Sequence, residues 1–135
     1  MDIIQKIETA EKNLHNEFVT LSKNIWNHPE LGYQEYYASQ LLADYLIGKG
    51  FAVEKPYAGF GTAFMARYDS GKPGPVIGYL AEYDALPEIG HGCGHNLIGT
   101  IATGAATVLS GIIAEADGSV VVYGCPAEET SGAKV

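Results

Sequence analysis

Residues 75–124 read "PVIGYLAEYDALPEIGHGCGHNLIGTIATGAATVLSGIIAEADGSVVVYG", and the fold turns on this stretch. It opens with a nearly continuous apolar run, Pro75–Tyr83, as expected of a strand covered on both faces. It closes with a second apolar run, Val120–Tyr123, and the segment between them, Leu97–Ala114, holds no charge. Strand, helix and strand at this spacing form a βαβ crossover, which predicts a parallel pair of strands. Ligands of open α/β sheets sit outside the carboxyl ends of such strands. Two polar stretches therefore share one edge: "EYDALPEIGHGCGH" (82–95) and "GCPAEET" (124–130).

The apolar middle segment has the minimum length for a membrane span. It is rich in Gly, Ala and Thr, however, and no Lys or Arg anchors either end. The expectation is a buried core helix, capped by Asn96. Upstream, Ile3, Ile4, Ile7, Leu14, Phe18, Leu21 and Ile25 form one helical stripe that stops near "HPE", where Pro29 follows His28. A second helix is expected from about Glu35 to Ile47, and "GKG" at 48–50 ends it. Short strands follow at Phe51–Glu54 and Thr62–Tyr68, the latter closed by the turn "DSGKPG". The class is α/β, with a largely parallel sheet flanked by helices.

Composition narrows the function. With 8 basic and 16 acidic residues the net charge is −8, which argues against a nucleic-acid surface. Hydrophobic residues make up 47% of the 135, enough for one globular domain with a real core. The start "MDIIQKIETAEKNL" has no basic segment followed by an apolar one, so no signal peptide is visible and a cytoplasmic, membrane-free setting is expected. Such a setting favours free thiols over a Cys93–Cys125 disulfide.

The chemistry lies at the shared edge. Cys93 and His95 offer a thiolate and an imidazole, both good ligands for a divalent metal. An i, i+2 pair on extended backbone points to one side, and Gly92 and Gly94 let the chain bend around a common ion. Glu128 and Glu129 would repel each other unless a cation or proton relieved them. On extended backbone they point to opposite faces, so one can bind metal while its neighbour serves as general base. Asp84 either orients a ligand or base, or caps a turn. His91 reads as a supporting or turn residue, and His15 and His28 as surface or structural ones. A thiol-protease reading, with Cys93 as nucleophile and His95 as base, leaves the glutamate pair unused and asks two neighbours on one turn to face each other. A structural zinc module and a non-catalytic metal-binding fragment are also compatible with these residues.

The stretches "NHPELGYQE" from Asn27, "AEYDALPEIGHGCGHNLIG" from Ala81 and "PAEETSGAK" from Pro126 resemble the amidohydrolase branch of the aminoacylase and carboxypeptidase-type metallopeptidases, peptidase family M20. The wording is most similar to the p-aminobenzoyl-glutamate hydrolase and β-alanyl-lysine dipeptidase subgroup. The resemblance implies a partial three-layer catalytic domain and a two-metal hydrolase, with zinc or manganese, cleaving amide bonds of N-acyl or N-aroyl amino acids or dipeptides. It implies that Cys93, bridging two ions, His95 and Glu129 are metal ligands, that Glu128 activates water and that Asp84 orients the site. Glu82 stands where other branches carry a ligand histidine. Two further ligand histidines and an inserted dimerising domain are also implied, yet no histidine follows His95. Residues 1–135 are therefore expected to be the N-terminal part of a longer catalytic domain, inactive alone, from a protein that is a homodimer when whole.

Overall fold

The computed structural model describes residues 1–135. The elements in chain order are α1 (Ile3–Trp26), α2 (Tyr36–Gly48), β1 (Ala52–Glu54), β2 (Phe64–Asp69), β3 (Val76–Glu82), α3 (His95–Ile113) and β4 (Ser119–Cys125), with a 3-10 turn at His91–Cys93 before α3. Helix α1 starts on a reciprocal cap: the Asp2 carboxylate accepts the Gln5 N–H while the Gln5 side chain accepts the Asp2 N–H. Of its apolar stripe only Leu21 and Ile25 are fully buried, and Ile3, Ile4 and Ile7 are exposed.

The four strands form one sheet in the order β1-β2-β4-β3. The expected crossover is present, because β3 and β4 pair in parallel. The sheet as a whole is mixed rather than largely parallel: β1–β2 and β2–β4 are antiparallel. Connection length explains the difference. The short "DSGKPG" turn reverses the chain between β2 and β3, whereas the helical crossover preserves direction from β3 to β4. Strand β4 then slots between the two and is buried along most of its length. The long apolar run of β3 does not mark a strand covered on both faces. It is an edge strand, and Val76, Ile77 and Leu80 are exposed.

All three helices join one core cluster with alternate strand residues, among them Phe64, Ala66, Ala81, Val120 and Val122. Helix α3 packs against β3 and β4, α2 against β1 and β2, and α1 against α3. Helix α3 is long and apolar enough to cross a membrane by length and composition, but 61% of its apolar window is buried inside the protein. Gly99 serves close packing: a Cβ there would lie 2.8 Å from the Glu82 carbonyl oxygen at the end of β3. Asn96 is not the cap. The helix starts at His95 behind Gly94, and the Asn96 amide donates instead to the Ser22 carbonyl of α1.

The end of β4 is equally tight. A Cβ on Gly124 would fall 2.3 Å from Phe64 Cδ1 and 2.8 Å from the Tyr83 hydroxyl, and those two rings are stacked and fully buried. Gly124→Ala is expected to cost about 1–3 kcal/mol, the usual range for overpacking. Urea unfolding of the variant beside the parent chain measures it, and an unchanged midpoint would contradict this packing.

Candidate metal centre

The parallel register sets Glu82 opposite Cys125, so the chain leaves β3 and β4 side by side. After β3 come Tyr83 and Asp84, both fully buried. The loop then closes on itself between Leu86 and Gly90, passes through the His91–Cys93 turn and enters α3. Gly94 adopts a left-handed conformation (φ 84°, ψ 13°), which turns the chain between Cys93 and His95. The two side chains thus converge through a tight turn and not through the extended backbone expected of an i, i+2 pair. Beyond β4, Ala127 is also left-handed (φ 60°), and Glu128 and Glu129 follow it in a turn.

The buried His95 ring is the centre of the arrangement. Its Nδ1 lies 3.0 Å from the Asp84 carbonyl oxygen and 3.0 Å from Asp84 Oδ1. A carbonyl only accepts, so Nδ1 carries the proton, and in the neutral ring Nε2 then presents its lone pair on the other side. That side is crowded with acid: Nε2 is 3.4 Å from Glu82 Oε2, 3.6 Å from Glu128 Oε2 and 4.0 Å from Glu129 Oε1. Two overlapping triads result, Cys93–His95–Glu129 and Glu82–His95–Glu128, with the donor atoms of each within 4.8 Å of one another. All five expected residues therefore meet: Cys93, His95 and Glu129 in one triad, Glu128 beside it, and Asp84 behind the ring.

The donor set fits a divalent cation. A lone pair facing three carboxylates is repulsive unless positive charge lies between them. The one ammonium in contact, Lys134, is bound to Glu82 at the outer rim. Asp84 Oδ1 is fully buried and receives no well-aligned hydrogen bond. A thiol, an imidazole and carboxylates together suit zinc, and the carboxylates also suit manganese. Burial, and secondarily the Glu129 charge, pushes the Cys93 thiol above its ordinary value. Cys125 is a free, buried thiol pushed up to about 11 by burial, with the Glu82 charge adding to it. His91 is buried behind the turn, His15 lies exposed on α1 against Glu11, and His28 stacks on Tyr37.

Two acids that the sequence did not single out support this edge. Glu30 caps α2 from outside the helix, accepting the Tyr37 and Ala38 N–H groups, while its own carbonyl accepts the Ala85 N–H beside Asp84. Glu35, at the cap position itself, turns inward. Its carboxylate accepts the Ala127 N–H at 2.8 Å and the Thr62 hydroxyl at 2.9 Å, and the residue is fully buried. The signal available was its place in "NHPELGYQE"; a glutamate opening a helix otherwise reads as a surface cap. Glu82, likewise, is a third carboxylate of the cluster and not merely the place of a lost ligand.

Burial raises the Glu35 carboxyl above its ordinary value of 4.5, against the lowering effect of its hydrogen bonds. A carboxyl raised on folding contributes stability below its unfolded value and loses that contribution as pH rises through its folded value. Raising the pH from below 4.5 to neutrality is therefore expected to shift relative stability towards Glu35→Gln and away from the parent chain. Paired thermal melts across that range test the sign, and a shift towards the parent would reverse it.

No family model matches the chain. Among curated proteins, a subunit of the p-aminobenzoyl-glutamate hydrolase of Escherichia coli is 34% identical over 152 residues, covering 98% of this chain and 31% of its own length. The human Xaa-Arg dipeptidase is 38% identical over 131 residues, covering 85% of this chain and 30% of its own length. The chain thus spans about a third of the length of these relatives. Among solved structures, a dinuclear metal-binding peptidase of the M20 family from Bacillus subtilis superposes with a TM-score of 0.80 at 27% identity, covering 92% of this chain and 38% of its own. Matching fold and matching relatives lead to one assignment: the chain belongs to the M20 family of metal-dependent peptidases and amidohydrolases.

Proposed function

We propose that residues 1–135 are the first part of the catalytic domain of a two-metal hydrolase that cleaves the amide bond of N-acyl or N-aroyl amino acids or dipeptides. The observation that carries this reading is the convergence of Cys93, His95 and Glu129 within 4.8 Å, with Glu128 against the same ring nitrogen. The names of the relatives support the amide bond and the small substrate. Cys93, His95 and Glu129 would hold a divalent ion, zinc or manganese. Such an ion, when bound, polarises the scissile carbonyl and lowers the pKa of water beside it. The remaining ligands would come from outside these residues, in a cytoplasmic protein that forms a homodimer.

The residues of this chain divide the remaining work. Asp84 holds the imidazole through Nδ1, keeping Nε2 on the acid side, and its Oδ2 accepts the Glu129 N–H at 3.0 Å. Glu128, its side chain 35% exposed, can reach a substrate at the mouth of the cluster. Its carboxylate takes the proton from the attacking water and passes it to the leaving amine nitrogen.

In the longer protein, Glu128→Gln is expected to lower kcat for p-aminobenzoyl-glutamate by about 10²–10⁴-fold, the range for a lost general base. Metal content should stay at the parent level. Turnover equal to the parent's would remove Glu128 from the mechanism, and robust turnover by the 135-residue chain alone would overturn the incomplete-ligand reading. The core is built without the cluster, so chelation should leave the circular dichroism of the chain largely intact. Unfolding on chelation would favour a structural zinc module instead.

A further inference from the structure

Glu35 is a buried carboxylate whose hydrogen-bond partners are neutral: the Ala127 N–H, the Thr62 hydroxyl and main-chain groups of its own segment. Burying an acid among neutral donors is unfavourable, so this placement calls for a reason other than stability. The reason lies in the backbone that it grips. Ala127 is a fully buried, left-handed alanine, a conformation that L residues other than glycine adopt only when their surroundings hold them there. Its carbonyl accepts the Thr130 and Gly132 N–H groups, closing the turn, and its N–H belongs to Glu35. Two residues on, the Glu129 N–H belongs to Asp84. The turn carrying Glu128 and Glu129 is thus pinned at two N–H groups by two buried carboxylates from different parts of the chain.

We propose that Glu35 is a positioning residue of the metal centre. By accepting the Ala127 N–H it locks the kink that directs Glu129 to the Cys93–His95 triad and Glu128 to the Glu82–His95 triad. What the kink requires is an acceptor at the right reach. A glutamine satisfies that: its carbonyl accepts from Ala127, and its amide donates to the Thr62 hydroxyl, which can serve as donor or acceptor. An aspartate keeps the charge but is one methylene shorter and cannot span Ala127 and Thr62 together.

This inference rests on the proposed metal-binding reading, and the test separates the two. Cadmium is titrated into the 135-residue chain, following the thiolate-to-cadmium absorbance that Cys93→Ser should abolish. Glu35→Asp is expected to weaken cadmium binding by about tenfold or more, as loss of a group supporting a ligand does, whereas Glu35→Gln stays near the parent. Three results would overturn the proposal: equal affinity in all three chains, a weaker Gln variant beside an unchanged Asp variant, or an Asp variant that unfolds while Gln binds as the parent does. If the parent binds no cadmium, the metal reading fails. Positioning is then decided by amide hydrogen exchange at Ala127 and Glu129, which should quicken in the Asp variant and not in the Gln variant; equal exchange in both would overturn it.

Discussion

The parallel pairing of β3 with β4 is the constraint on which the rest of the molecule depends. With Glu82 beside Cys125, the loops leaving the two strands emerge at the same edge and at the same height. Residues more than thirty positions apart, Cys93 and His95 where one loop enters α3 and Glu128 and Glu129 on the other loop, then need only local turns to meet. A shift of one residue in that register would point β4 side chains to the opposite face and separate the triads. The tight glycines follow from the same demand. Gly99 lets α3 lie close against the end of β3, and Gly124 leaves room for the stacked Phe64 and Tyr83 beneath the loops.

Acidic residues serve two purposes here. Three carboxylates, Glu82, Glu128 and Glu129, surround the lone pair of His95 and make a site for positive charge. Three others hold backbone in place: Glu30 on the start of α2, Glu35 on Ala127 and Asp84 on Glu129. The net charge of −8 thus reflects internal demands as well as a solvated surface. Carboxyl side chains suit this task because their oxygens accept N–H groups and their stems reach backbone from a distant part of the chain.

Much of the fold was legible because its signals are local. The apolar runs at 75–83 and 120–123, the uncharged stretch between them and the glycine and proline punctuation identified the strands, the crossover helix and the shared edge. The candidate ligands were legible for a related reason: Cys93, His95, Glu128 and Glu129 are residue types whose chemistry is conspicuous wherever they cluster. Sheet order was not legible. Whether β4 joins outside β3 or slots between β2 and β3 depends on packing across the whole sheet, and apolar runs look alike at an edge and at the centre.

Sequence by itself determined the α/β class and the parallel β3–β4 unit and singled out Cys93, His95 and Glu129 as candidate ligands, because periodicity and residue chemistry are properties of short segments. Tertiary structure alone decided that Glu35 and Glu30 face inward, that Glu82 joins the cluster, that Gly94 begins α3 in place of Asn96, and that Ala127 is held left-handed. A glutamate has the same composition on a surface as in a core. Only the backbone N–H groups brought to it by distant parts of the chain determine which role it takes.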